Sequence, residues 1–263
     1  MKDIAQYAPE AELLLNVAER SFVPNLKKHS KDVVHLLFRS MFLVDRHVDA
    51  LTDEAKGPAV KNVQSFLRGS GQAFAVADNE ALRLALMELK AELDAAPPTR
   101  RAAFLESVSD VFKWGKVLGA TKDSREFIKA RTREAVATAN MVLTLVEELG
   151  RNQKFSDFLR EVTIAENLLD SIKDAGEDKR HGDIAIKPVQ VYFRLGVGTV
   201  QHAAAAAQLH PDKVGFLTTG FKWMWQHAKS GIGVAEPMEM NVSPARRPEL
   251  SPDFMAGQPA AKR

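Results

Sequence analysis

Six aspartates in two runs are the residues whose type and spacing point most directly to chemistry. Asp45, Asp49 and Asp53 recur every fourth residue in Phe42-Leu-Val-Asp45-Arg-His-Val-Asp49-Ala-Leu-Thr-Asp53, and Asp170, Asp174 and Asp178 do the same in the stretch from Asn167 to Asp183. On one helix, at about 100° per residue, three such positions fan over about 80° of a face. Like charges four residues apart cost a helix a few tenths of a kcal/mol. Glu177 and Asp178, just before a terminating Gly182, also oppose the helix dipole. A divalent cation offsets both costs. Magnesium suits such a site, because it takes one or two protein carboxylates and fills its other positions with water and substrate phosphate. Antiparallel packing of the two helices would face the runs across a pocket, where magnesium ions could bridge them through a diphosphate.

Other residues can complete such a pocket. Lys179 and Arg180 lie within one turn of Asp178 and can approach an anion. The basic run Lys122, Arg125, Lys129, Arg131 and Arg133 supplies more cations. On a helix Arg125 and Lys129 share a face and Arg131 points away from it. Phe22, Phe38, Phe42, Phe112, Trp114, Tyr192, Phe193, Trp223 and Trp225 are candidates for an apolar wall whose ring faces would stabilise a carbocation. Phe38, Phe42 and Tyr192 are the aromatic substrate contacts we expect. Helical spacing alone does not separate a pocket wall from ordinary core.

These motifs resemble those of the squalene and phytoene synthase family of class I isoprenoid synthases. Asp174-Ala-Gly-Glu-Asp178 followed by Gly182 is similar to that family's second aspartate-rich motif, Asp45-Arg-His-Val-Asp49 to its first, and Arg20-Ser21-Phe22 to its N-terminal Ser-Phe element. The chain also resembles the large bacterial terpene synthases of the tetraprenyl-beta-curcumene synthase type. These share the pattern of Asp45 to Asp53, an aspartate at the place of Asp170 and a pair like Gly182-Asp183. The resemblance implies an all-α antiparallel bundle around a deep apolar cavity. It also implies magnesium held by Asp45, Asp49, Asp170, Asp174 and Asp178, with Asp53 and Glu177 as further candidates, and an isoprenyl diphosphate substrate. The expected reaction is ionisation of an allylic diphosphate with release of pyrophosphate, catalysed around Asp45, Asp49, Asp174 and Asp178. Phytoene synthases carry a tyrosine-rich stretch where this chain has Arg133-Glu-Ala-Val136-Ala-Thr138, and their Tyr-Leu-Pro ending is replaced by Ala185-Ile-Lys-Pro188. These departures favour a terpene-synthase-like outcome over head-to-head condensation. The rival from another class is a non-catalytic bundle that serves in assembly or interaction.

The elements that must position these residues read as helices throughout. Apolar residues recur at helical spacing, and no segment shows sustained alternation. The pattern predicts helices at about 9–20, 25–53, 58–73, 77–95, 99–118, 123–150, 154–178, 187–208 and 211–228. Breaks are expected at Pro24, Gly57-Pro58, Pro97-Pro98, Gly150 and Gly182. One helical domain over 1–232 and a disordered tail over 233–263 are expected, since five of the twelve prolines lie in that tail.

Composition closes off other chemistries. The chain has 263 residues, 45% of them hydrophobic and 27% charged, which is ordinary globular usage. It has no cysteine, which removes disulfides, thiolate metal sites and a cysteine nucleophile. A net charge of +2 gives no support to a nucleic-acid partner. No HExxH, GxSxG or P-loop pattern occurs. The start MKDIAQYAPEAELLL lacks a secretory pattern, and no window reaches spanning length, so a cytoplasmic location with at most peripheral membrane contact is expected.

Overall fold

The computed structural model describes residues 8–69, 79–181 and 184–216; the side chains of Asp53, Glu177, Asp178, Arg180 and His181 fall outside that description, as do the expected tail and the helix expected beyond Phe216. The described residues form α1 (Ala8–Ser21), α2 (Lys28–Asp49), α3 (Asp53–Arg68), α4 (Glu80–Ala95), α5 (Pro98–Ala120), α6 (Ser124–Leu145), α7 (Glu147–Gly150), α8 (Gln153–His181), a 3-10 turn (Pro188–Gln190) and α9 (Tyr192–Leu209). No strand occurs among them.

Local chemistry sets most boundaries. Asn79 and Asp123 cap α4 and α6 by accepting backbone N–H groups through their side chains. Asn152 accepts from Phe155 N at 2.9 Å to start α8, and its amide donates to the Phe22 carbonyl at 2.8 Å, tying that helix to the end of α1. Pro98 opens α5, where the missing N–H costs nothing. Gly69, at φ 80°, closes α3 in a left-handed cap.

Two expected boundaries differ. The Gly57-Pro58 break does not form, because α3 runs from Asp53 to Arg68 with Pro58 inside it. The long second helix instead ends at Asp49, and Asp53 begins the next one. Asp53 therefore does not continue the acidic face of Asp45 and Asp49. The end at Asp49 also sets both of those carboxylates against the negative pole of α2, which only Arg46 and His47 in the last turn counter locally.

The layers follow from which helices run side by side: α5 along α6, α6 along α8, α8 along α9, and α2 along α4 and α1. One buried cluster joins Val34 and Leu37 of α2, Leu82, Leu86 and Leu93 of α4, and Phe104 of α5 to Phe155 and Phe158 of α8. A second joins Phe127 of α6, Ile164 and Leu168 of α8, and Ile186, Val191 and Leu195. Each such fully buried side chain contributes roughly 1.5–3 kcal/mol. The chain turns between α6 and α8 at Gly150, where any β-carbon would overlap the Leu143 carbonyl oxygen. Gly150→Ala is expected to lower stability by about 3 kcal/mol, read as the shift of a urea unfolding midpoint at constant slope.

Candidate active site

Helix α2 buries Val33, Val34, Leu37, Leu43 and Val44 and leaves Asp45 and Asp49 facing solvent. Asp45 touches water yet is surrounded by protein, and this partial burial, with the charges of Asp49 and of Glu134 on α6, pushes its carboxyl up to about 6. Glu134 is itself raised by burial, against the lowering effect of Arg131. The Arg131 guanidinium holds Glu134 at 3.0 Å, with side-chain exposures of only 21% and 16%. It also stands 5.9 Å from the Phe127 ring. On α5 the facing position is Gly115, where a β-carbon would come within 3.6 Å of the Glu134 carboxylate. The first predicted motif therefore belongs to a three-carboxylate grouping across α2 and α6, with one arginine.

A second grouping gathers on α8 and α1. Glu166 is pushed up to about 8 by burial, then by Asp170 and by Glu10 of α1. Glu10 is raised by burial and by Asp170. Asp170 is thus brought together with two glutamates. Asp174 is half-buried one turn farther along α8, and Asp178 and Arg180 occupy its last turns. Lys179 is exposed and donates to the carbonyls of Ala185 at 2.8 Å and Ile184 at 3.4 Å, bracing the chain as it leaves α8. The Tyr192 hydroxyl lies over this segment, 3.8 Å from where a β-carbon of Gly176 would be.

The aromatic candidates divide. Phe38, Phe42 and Phe112 are half-buried against the first core cluster, and Trp114 against the second. Phe22 packs on Phe158 with ring centres 4.9 Å apart and on Phe155 at 5.4 Å, which makes it core. Phe193 is 82% exposed, so it is not part of a buried wall. Trp223 and Trp225 lie outside the described residues.

Sequence reasoning missed Glu134, Glu166 and Glu10; it set Arg131 apart from the face of Arg125 and Lys129, as found, but not as the cation that faces inward. Arg125 and Lys129 are exposed, whereas Arg131 turns inward onto Phe127 and Glu134. The available signal was the spacing: Phe127, Arg131 and Glu134 stand at i, i+4 and i+7, so the buried phenylalanine marks their shared face. Arg131→Ala leaves Glu134 half-buried without its cation. A loss of about 2 kcal/mol is expected at pH 8, shrinking as the pH is lowered and the raised carboxyl gains its proton, as a series of thermal unfolding curves down to acid pH would show.

Among the described residues no three His, Asp or Glu side chains are arranged to hold a metal ion unaided. The donors present still suit magnesium, which needs only one or two carboxylates when phosphate and water complete its shell. Asp45 is raised by burial first and then by the charges of Asp49 and Glu134, and a bound divalent cation would favour its ionised form against both.

Comparison with protein-family models finds no match, and comparison with curated proteins finds none either. Among solved structures, the fold is similar to linalool/nerolidol synthase from Streptomyces clavuligerus, crystallised in complex with 2-fluorogeranyl diphosphate. The TM-score is 0.50 and the identity 11%, over 88% of this chain and 93% of that one. The architecture is therefore the all-α fold of a terpene synthase, as the sequence resemblance implied.

Proposed function

We propose that the protein ionises an allylic isoprenyl diphosphate and releases pyrophosphate together with a terpene product. The observation that carries this reading is the grouping in which partly buried Asp45 feels the charges of Asp49 on its own helix and of Glu134 on α6, the latter paired with Arg131 at 3.0 Å. The second grouping at Glu166 and Asp170, and the similarity of the fold to a synthase crystallised with a fluorinated geranyl diphosphate, support it.

In this reading Asp45 and Asp49 hold magnesium on one wall, and Asp170, Asp174 and Asp178 hold it on the other. Bound magnesium would supply neutralisation of the departing diphosphate. Arg131, and Arg180 from the last turn of α8, are the cations this reading assigns to the same anion, where donors contribute more as water is excluded. Phe38, Phe42 and Tyr192 lie along the prenyl chain and screen the cation that forms. The absence of the tyrosine-rich stretch favours a single-substrate synthase over head-to-head condensation.

The test is incubation with prenyl diphosphates of increasing chain length plus magnesium, measuring released pyrophosphate and extracting hydrocarbons. Release with one hydrocarbon per pyrophosphate supports a synthase. Product of twice the substrate's chain length supports condensation, and no release with any substrate rejects the reading in favour of a non-catalytic bundle.

A further inference from the structure

No helix among the described residues is long and apolar enough to cross a membrane. One surface is nonetheless markedly apolar. On α9, Phe193, Val197, Val200 and Ala204 follow i, i+4, i+7 and i+11, a stripe roughly 60° wide at about 100° per residue. Phe193 is 82% and Val200 63% exposed. The opposite side of the helix carries the buried Leu195, Thr199 and Ala206, which pack toward α8, so this stripe is the side turned away from the core. The exposure continues in sequence at both ends, in Val189 of the 3-10 turn and in Val214 after α9.

Charge along the stripe is mainly positive, with Glu161 paired to His202 at 2.7 Å and Asp212 beyond the end of α9 as the nearby acids. Residues 184–211 contain no acidic residue, in a chain with 34 of them. Lys187 and Arg194 are exposed there, and neither takes part in an ion pair among the described residues; just past the window, exposed Asp212 stands beside exposed Lys213. An apolar band edged mainly by cations complements an anionic lipid surface: the band enters the boundary between headgroups and acyl chains, and Lys187 and Arg194 meet the headgroup phosphates. A protein partner binding by the same face would need acids to match those cations, and a second copy of this chain would bring like charge to like. We propose that α9 docks the protein onto anionic membrane surfaces, independently of the reaction proposed above.

The full-length protein should sediment with vesicles of mixed phosphatidylcholine and phosphatidylglycerol, and much less with phosphatidylcholine alone or in high salt. The double variant F193E/V200E should lose about tenfold or more of this partitioning while keeping its circular dichroism, because both side chains are already in water. Lys187→Glu with Arg194→Glu should weaken binding to the charged vesicles only. The proposal is overturned if the parent ignores both vesicle types, or if F193E/V200E sediments as the parent does. It is also overturned if the parent is a dimer that ignores vesicles and that F193E/V200E splits, which would make the stripe a subunit interface.

Discussion

Asp45→Asn is expected to slow pyrophosphate release by about a hundredfold or more, the usual cost of removing one charge-stabilising group from such a site. Shape and helix propensity barely change, so the fold should persist. Without metal the variant should even gain on the order of 1 kcal/mol at neutral pH. That figure is discounted from the full pKa displacement because the Asp45 carboxylate touches solvent. The sign follows from the direction of the shift. A carboxyl raised from 3.8 to about 6 opposes folding once ionised, so the cost is absent at low pH and complete above about pH 6. Magnesium must also displace that proton, so its affinity should fall toward tenfold per unit below pH 6. Steady-state release and thermal unfolding in chelator test both halves. An active, unstabilised variant would remove Asp45 from the site.

Glu166→Gln is the second large effect, and it concerns stability. Glu166 keeps its proton in the folded protein up to about pH 8, whereas in the unfolded chain it ionises near 4.5. Between those values the unfolded state binds fewer protons, so the parent's stability should decline as pH rises, by up to about 1.4 kcal/mol per unit. The glutamine variant has no proton to lose. It should match the parent near pH 5 and exceed it by a few kcal/mol at pH 9, as urea unfolding in metal-free buffer would show. Parallel curves for the two proteins would mean that Glu166 is not held neutral. Added magnesium should reduce the difference if a cation near Asp170 stabilises the ionised form.

The helices and most of their ends were legible because periodicity, caps and prolines are local signals: Pro98 opens α5 and Gly150 lies at the turn before α8, where the pattern puts them. The fold class followed from the same signals. The break after Asp49 was not legible, since Ala50 and Leu51 are compatible with a continuing helix and only the termination observed in the structure separates Asp53 from its neighbours. Pro58 misled in the opposite direction, reading as a stop inside a helix that accommodates it. The candidate site was legible only in its aspartates. Glu134 and Glu166 gain their character from burial and from charges on other helices, which spacing along one helix does not encode. Arg131 does stand apart from Arg125 and Lys129, but that its face is the inward one is marked only by the buried Phe127 one turn before it.

In the reading proposed here, these carboxylates and a divalent cation together hold a diphosphate. Calorimetric titration of inorganic pyrophosphate into the parent, with and without magnesium, and into Asp45→Asn and Asp174→Asn, tests it most directly. The account predicts binding by the parent that requires magnesium and weakens about tenfold or more in each variant. Binding that is indifferent to magnesium and unchanged in both variants would contradict it.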